Sequence, residues 1–192
     1  MIYTGLRRGE ALALTWADID TKKKFVHVNK ALSFVGGMPR VKSPKTVSGN
    51  RDVLLLPDLE KLLKRPESAK DTDPIFQKKS GGYLPEATFR RRWKRYCKEA
   101  GLITDTPIKR KDKNGREYTH HIIEPTLTPH QLRHGYATIL FEAGVDAFTA
   151  QRLLGHANVE TTLAIYTHLR EKQKDKSVAR LQKYMGKTYA PI

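Results

Sequence analysis

The stretch GHANVETTLAIYTHL, residues 155–169, decides how the C-terminal third of this chain is read. Leu163, Tyr166 and Leu169 recur every third residue, the spacing of one buried helix face. Asn158 stands where it can cap that helix, and Gly155 is placed to end the one before it. Tyr166 is either a packed aromatic or a residue kept for its hydroxyl, and the stretch alone leaves both open.

Working outward, Asp146 can cap a helix AFTAQRLL that stops at Gly155. Before it, Thr128 with Pro129 at the first helical position opens PHQLRHGYATILFEA, which stops at Gly144. After it, Val178, Leu181, Tyr184 and Met185 form a thin apolar stripe on a last helix through SVARLQKYM. Upstream, EATFRRRWKRYCKEAG places Phe89, Trp93 and Tyr96 on one side of a helix with Gly101 as its stop. LEKLLKR is a short helix. IKRKDKNGREYTHH is polar with a turn at Asn114-Gly115, and both a loop and an exposed hairpin fit it. At the N-terminus, TGLRRGEALALTWADID reads as a turn at Gly5 and a helix through about Leu14. KFVHVNKALSF alternates like a strand, and MPRVKSPKT and NRDVLLLP flank a turn cluster, VSGN, which predicts a hairpin. Together these make a small antiparallel sheet of three strands. The class expected is α+β, mostly helical, with no internal repeat.

The 192 residues suit one domain with appendages. No apolar run reaches the roughly 18 residues of a membrane span, and the N-terminus lacks the apolar segment of a signal peptide. A cytoplasmic protein with no membrane partner is expected. Cys97 is the single cysteine, which excludes an intrachain disulfide and a thiolate metal cluster. Lys and Arg number 36 against 20 Asp and Glu, a net charge of +16. A chain this basic points to a polyanion, with nucleic acid first, ahead of a merely solvated basic surface or an anionic membrane.

Single motifs say less than their sum. In TPHQLRH, His130 and Arg133 share one face in the first helical turns, where free backbone N–H groups and the helix dipole favour a phosphate. His130 and His134 have the spacing of zinc-protease histidines, but Gln131 holds the place that motif gives to Glu. Arg7 and Arg8 follow the Gly5 turn, and the guanidinium fork suits two phosphate oxygens. Glu10 allows the alternative of an exposed Arg–Glu pair. Lys45, just before VSGN, reads as a surface lysine or as one reaching a nucleic-acid backbone. His156 fits a satisfied core histidine.

Taken in order, TGLRRGEALALTW, PKTVSGNRDV, TPHQLRHGYAT and LLGHANVETTLAIYTH resemble the tyrosine recombinase family, of the phage-integrase type. The resemblance spans residues 4 to about 169. Gly5, Leu6, Arg7 and Glu10 meet its first motif, and His130, Leu132, Arg133 and His134 its second. Leu154, Gly155, His156, Thr161, Thr162, Tyr166 and His168 meet its third. Lys45 is the best match to its hairpin lysine, with Lys42 the fallback.

The resemblance implies cutting and rejoining of double-stranded DNA through a covalent 3′-phosphotyrosine, for integration or excision of a phage or mobile element. Tyr166 would be the nucleophile, His130 the proton acceptor, Arg7 and Arg133 the phosphate clamp, His156 a further donor and Lys45 the acid for the leaving 5′-oxygen. Neither metal nor ATP is called for, and no cofactor is expected. The implied assembly is a homo-oligomer on DNA, a tetrameric synapse, with an accessory directionality factor as a possible partner. Two other outcomes stay open: a truncated DNA-binding fragment without turnover, and a type IB topoisomerase-like relaxing activity. Residues 1–170 are expected to form the catalytic domain, without the first helix and the N-terminal core-binding and arm-type domains. Residues 171–192 are expected to form a tail that packs on a neighbouring protomer or on its own domain.

Overall fold

The computed structural model describes residues 1–44 and 49–188, with no side chain described at 172, 175–177, 179, 180, 183 and 186–188. Lys45, with Val47 and Ser48 of the VSGN cluster, therefore lies outside the described residues.

The chain builds two halves. In the first, helix α1 (Arg8–Ala13) packs on two small sheets. Strands β1 (Ile19–Asp20), β2 (Phe25–Val28) and β5 (Arg51–Leu54) make a three-stranded antiparallel sheet in the order β1-β2-β5. Strands β3 (Ala31–Val35) and β4 (Met38–Lys42) pair with each other alone. Alternation puts Val26, Val28 and Val53 on the inner face, where they meet Leu6, Leu14 and Leu55 in one core cluster. A second cluster, Leu12, Ala13, Leu32 and Leu84, seats α1 on β3.

Two strand expectations need correction. KFVHVNKALSF is not one strand: it breaks at Asn29–Lys30, whose side chains bond Asp18, into β2 and β3 of different sheets. Among the described residues, the strands flanking VSGN do not pair with each other. Their partners are β3 and β2, because Gly36 and Gly37, at φ 57° and 76°, turn β3 into β4 over two residues. Both positions need positive φ, which glycine adopts without a Cβ clash.

Short helix α2 (Pro57–Leu62) starts two residues ahead of LEKLLKR, with Pro57 at its first position. Helix α3 (Glu86–Glu99) stacks Phe89, Trp93 and Tyr96 along one side, as the spacing predicts. Strands β6 (Ile103–Lys111) and β7 (Glu117–Pro125) settle the polar segment as a long, mostly exposed hairpin.

The second half is α4 (Pro129–Glu142), α5 (Ala147–Leu154) and α6 (Val159–Thr188). Their starts follow the caps expected: Thr128 accepts from the Gln131 N–H, Asp146 from those of Phe148 and Thr149, and Asn158 from that of Glu160. The separate last helix does not exist. No Pro, and no Gly before Gly186, interrupts the run after Val159, so α6 continues unbroken past residue 170. Tyr136, Ala137, Leu140, Ala150, Leu154 and Tyr166 form the core of this half.

Candidate active site

The halves meet through arginines. The Gly5 turn, at φ 62°, is pressed against Tyr136: a Cβ there would lie 2.4 Å from the Tyr136 ring. Its carbonyl accepts a 2.7 Å bond from Arg133 Nη1. In return, Arg7 Nη2 donates to the Gly155 carbonyl at 2.9 Å, at the corner between α5 and α6. Each half thus holds the arginine of the other at a glycine turn.

Arg7, His130, Arg133, His134 and His156 line one cavity of about 350 Å³, with Thr161 and Ile165 of α6 on its far wall. Arg133 is only 4% exposed, and its Nη2 has no hydrogen-bond partner among the described residues. Burial, then the nearby charges of Arg7 and Arg51, lower its pKa to about 10, so it stays cationic at neutral pH. An unpaired buried guanidinium N–H is costly until an anion fills it. Burial, then the charges of Arg133, Arg7 and Arg51, lower His156 to about 4, and burial with His134, Arg133 and Arg7 lowers His130. Both imidazoles are therefore neutral at pH 7. His156 Nδ1 lies 2.9 Å from Thr162 Oγ1, and when that hydroxyl donates, Nε2 carries the ring proton.

Glu10 is not half of an exposed pair. Its side chain is 7% exposed and bonds Arg7 (2.8 Å) and Arg51 (2.9 Å). Burial alone would raise its pKa, but hydrogen bonds and charge from Arg51 and Arg7 outweigh that and hold it below the usual carboxylate range. Sequence reasoning passed over Arg51. Nothing local separates it from the other 35 basic side chains, given 36 in all.

Tyr166 is not brought to this cavity. It is 8% exposed, edge-on to Phe141 at 5.1 Å, and lines a groove with Val145, Asp146 and Leu163 instead. Its hydroxyl is buried with no partner among the described residues. Burial, with Asp146 and Tyr136 nearby, raises its pKa, so this position does not activate it. Lys42 sits exposed at the end of β4. His130 and His134 stack edge-on at 4.5 Å, and among the described residues no group of three His, Cys, Asp or Glu is suited to a metal ion.

The sequence matches the profile of the Phage integrase family over residues 1–173. This chain belongs to that family. It is 34% identical over 178 residues to the ICEBs1 integrase of Bacillus subtilis (strain 168), covering 90% of this chain and 44% of the relative. It is 30% identical to the transposase from transposon Tn916 of Enterococcus faecalis, covering 93% and 46%. The chain thus spans a little under half the length of these relatives. Among solved structures, the Tn1549 transposon integrase in complex with circular intermediate DNA matches with a TM-score of 0.64 at 23% identity, covering 94% of this chain and 57% of that one. XerA recombinase matches with a TM-score of 0.57 at 22% identity, covering 91% and 53%. The α+β integrase-family fold follows from these likenesses.

Proposed function

We propose that this chain is the catalytic part of a site-specific DNA recombinase that integrates or excises a mobile element. One observation carries the reading. Arg7, His130, Arg133 and His156, drawn from three motifs far apart in sequence, line one cavity in which a buried guanidinium N–H awaits an acceptor. A phosphodiester supplies that acceptor. Arg7 and Arg133 hold its non-bridging oxygens, and His156 Nε2–H adds a bond where charge grows in the transition state. Tyr166 Oη attacks phosphorus and passes its proton to His130. The bond to the 5′-oxygen breaks, and that oxygen takes a proton from Lys45. The 3′-phosphotyrosine keeps the bond energy until a 5′-hydroxyl reverses the step, so no ATP enters. Tyr166 first has to leave its apolar cluster. Its neighbour Ile165 already lines the cavity, and adjacent helical residues differ by about 100° around the axis.

The partner is duplex DNA in the cytoplasm, gripped in a multi-copy assembly, with residues 1–170 as the catalytic domain. The β6–β7 hairpin suits that partner. Its tip KRKDKNGR, residues 109–116, holds five basic residues and one acid, Asp112, which bonds the Asn114 and Arg116 amides.

A binding-only reading is favoured by one fact, the burial of Tyr166. Incubation with a pool of nicked duplexes of randomised sequence separates the two. The recombinase reading expects a covalent protein–DNA adduct, stable to denaturation, that maps to Tyr166 and vanishes in Tyr166→Phe. Bound DNA without adduct would favour the binding-only reading. Relaxation of any supercoiled plasmid without recombinant products would favour a topoisomerase-like one.

A further inference from the structure

We infer that Arg51 is a positioning residue for the phosphate site, a side chain that ties β5, α1 and the α5–α6 corner into a single clamp. The inference rests on the recombinase reading above.

Three bonds define it. Arg51 Nη2 and Nη1 reach the two oxygens of Glu10 at 2.9 and 3.3 Å, and Nε donates to the Leu153 carbonyl at 3.0 Å. Glu10 passes the constraint on, bonding the Arg7 guanidinium and the Arg7 backbone N–H, both at 2.8 Å. Arg7 closes the circuit on the Gly155 carbonyl. The ring thus runs Arg51, Glu10, Arg7, Gly155, and back through the corner to Leu153. Gly155, at φ 66°, is packed against the Arg51 guanidinium, which a Cβ there would approach to 2.6 Å. His156 follows directly on this corner.

Arg51 does not line the cavity, so its role is indirect. Its side chain is 7% exposed and uses its planar fork on a carboxylate, a geometry that lysine cannot copy. Without it, Glu10 is left buried with one cation, and Arg7 loses the fixed counterpart that sets its angle. Reacting groups held even slightly out of place lose rate steeply. Arg51 also opens β5.

The test uses Arg51→Met, Arg51→Lys and Glu10→Gln in the full chain, each checked by thermal melting and by anisotropy with a fluorescent duplex. Adduct formation is measured on a nicked duplex selected with the wild-type chain. The expected result for Arg51→Met is an adduct rate lower by about 10²–10³, the scale of a lost transition-state donor. Duplex Kd should change less than about threefold, because Arg51 is not a phosphate ligand. Arg51→Lys should recover part of the rate. Glu10→Gln, isosteric and able to fold if Arg51→Met does not, should lose a similar factor. The double variant should lose little more than either single one, as residues acting as a unit do. A further readout separates positioning from mere packing. In Arg51→Met only Arg7 is left to offset burial at Glu10, so the Glu10 contribution to the acid limb of the rate profile moves to higher pH; in Glu10→Gln that contribution is gone and the limb set by His130 remains.

Wild-type rates in either Arg51→Met or Glu10→Gln would overturn the inference while leaving the recombinase reading intact. So would an Arg51→Met loss confined to duplex Kd, or one with an unmoved acid limb. No adduct with the wild-type chain would instead sink the recombinase reading itself.

Discussion

The cavity around Arg133 and the cluster around Tyr166 adjoin the same stretch of α6, with Ile165 at the first and Tyr166 in the second, and they are built on opposite principles. The cavity is polar, assembled and electrically loaded. Arg7 and Arg133 converge there with Arg51 close behind, Glu10 offsets part of their charge, and both site histidines are held neutral. The Tyr166 cluster is apolar, and it keeps the phenol protonated without a partner. A site for phosphate can be formed before phosphate arrives, because its cations are anchored on backbone carbonyls and a carboxylate. A tyrosine proposed as the nucleophile is harmless while it stays packed in a core. On the recombinase reading proposed above, the contrast teaches that holding DNA and cutting it are separable tasks.

The largest effect expected is that of Tyr166→Phe. Adduct formation should fall below detection, yet the melting temperature should hold or rise. A buried hydroxyl without a partner costs about 1–3 kcal/mol, so removing it is neutral or favourable. A clear drop in melting temperature would mean that the hydroxyl is bonded in the folded chain, and the contrast between the two regions would weaken. Next comes Arg133→Ala, which removes both the clamp and the donor to the Gly5 carbonyl. A rate loss of about 10²–10³ is expected, together with a lower melting temperature. Equal rates in wild type and variant on the selected duplex would show that the cavity is not the phosphate site.

The sequence carried the cavity better than it carried the cluster. Caps such as Thr128, Asp146 and Asn158 act within a few residues, so α4, α5 and the start of α6 could be read directly. The four cavity residues sat in motifs whose order could be recognised. Strand pairing could not be read so well, since β5 chooses β2 across more than 20 residues, as in Val28↔Arg51. The Gly36-Gly37 turn was a local signal, and it outweighs the looser VSGN cluster. Arg51 was hidden because its role is set by burial and by Glu10, neither of which shows in a run of basic residues. For Tyr166, the period with Leu163 and Leu169 spoke for a packed face while the motif spoke for chemistry. The ring packs in this structure, though Leu163 itself is 42% exposed, so the helix face was only partly right.

A smaller effect sharpens the binding side. Lys109, Arg110, Lys113 and Arg116 have no carboxylate partner among the described residues, and they sit at the end of strands of 9 residues, about 30 Å long. Replacing all four with Ala should leave the adduct rate on saturating duplex unchanged. The slope of log binding constant against log salt should shrink by about 0.9 for each phosphate that the tip neutralises. An unchanged slope would remove the hairpin tip from the DNA-facing surface.

The smallest effect concerns pH, and its sign can be worked out. His156 has a folded pKa of about 4 against an ordinary 6.5. Between those values the unfolded chain binds more protons than the folded one, so stability rises with pH across that window and is fully present above it. As pH falls from 7 towards 5 the chain should therefore lose stability. His156→Gln should flatten that fall, because Gln has no proton to take up. The range from pH 6.5 to 5 excludes ordinary carboxylates, which are still ionised there in both states, and the difference between wild type and His156→Gln removes the share of His130, whose pKa is also lowered. Saturating duplex DNA should work the other way: a phosphate beside His156 favours the imidazolium, so the fall should shrink in the complex. If melting temperatures of wild type and His156→Gln run parallel from pH 7 to 5, the imidazole is not crowded by arginines. The cavity would then be as unassembled as the nucleophile's approach to it, and the contrast between the two regions would disappear.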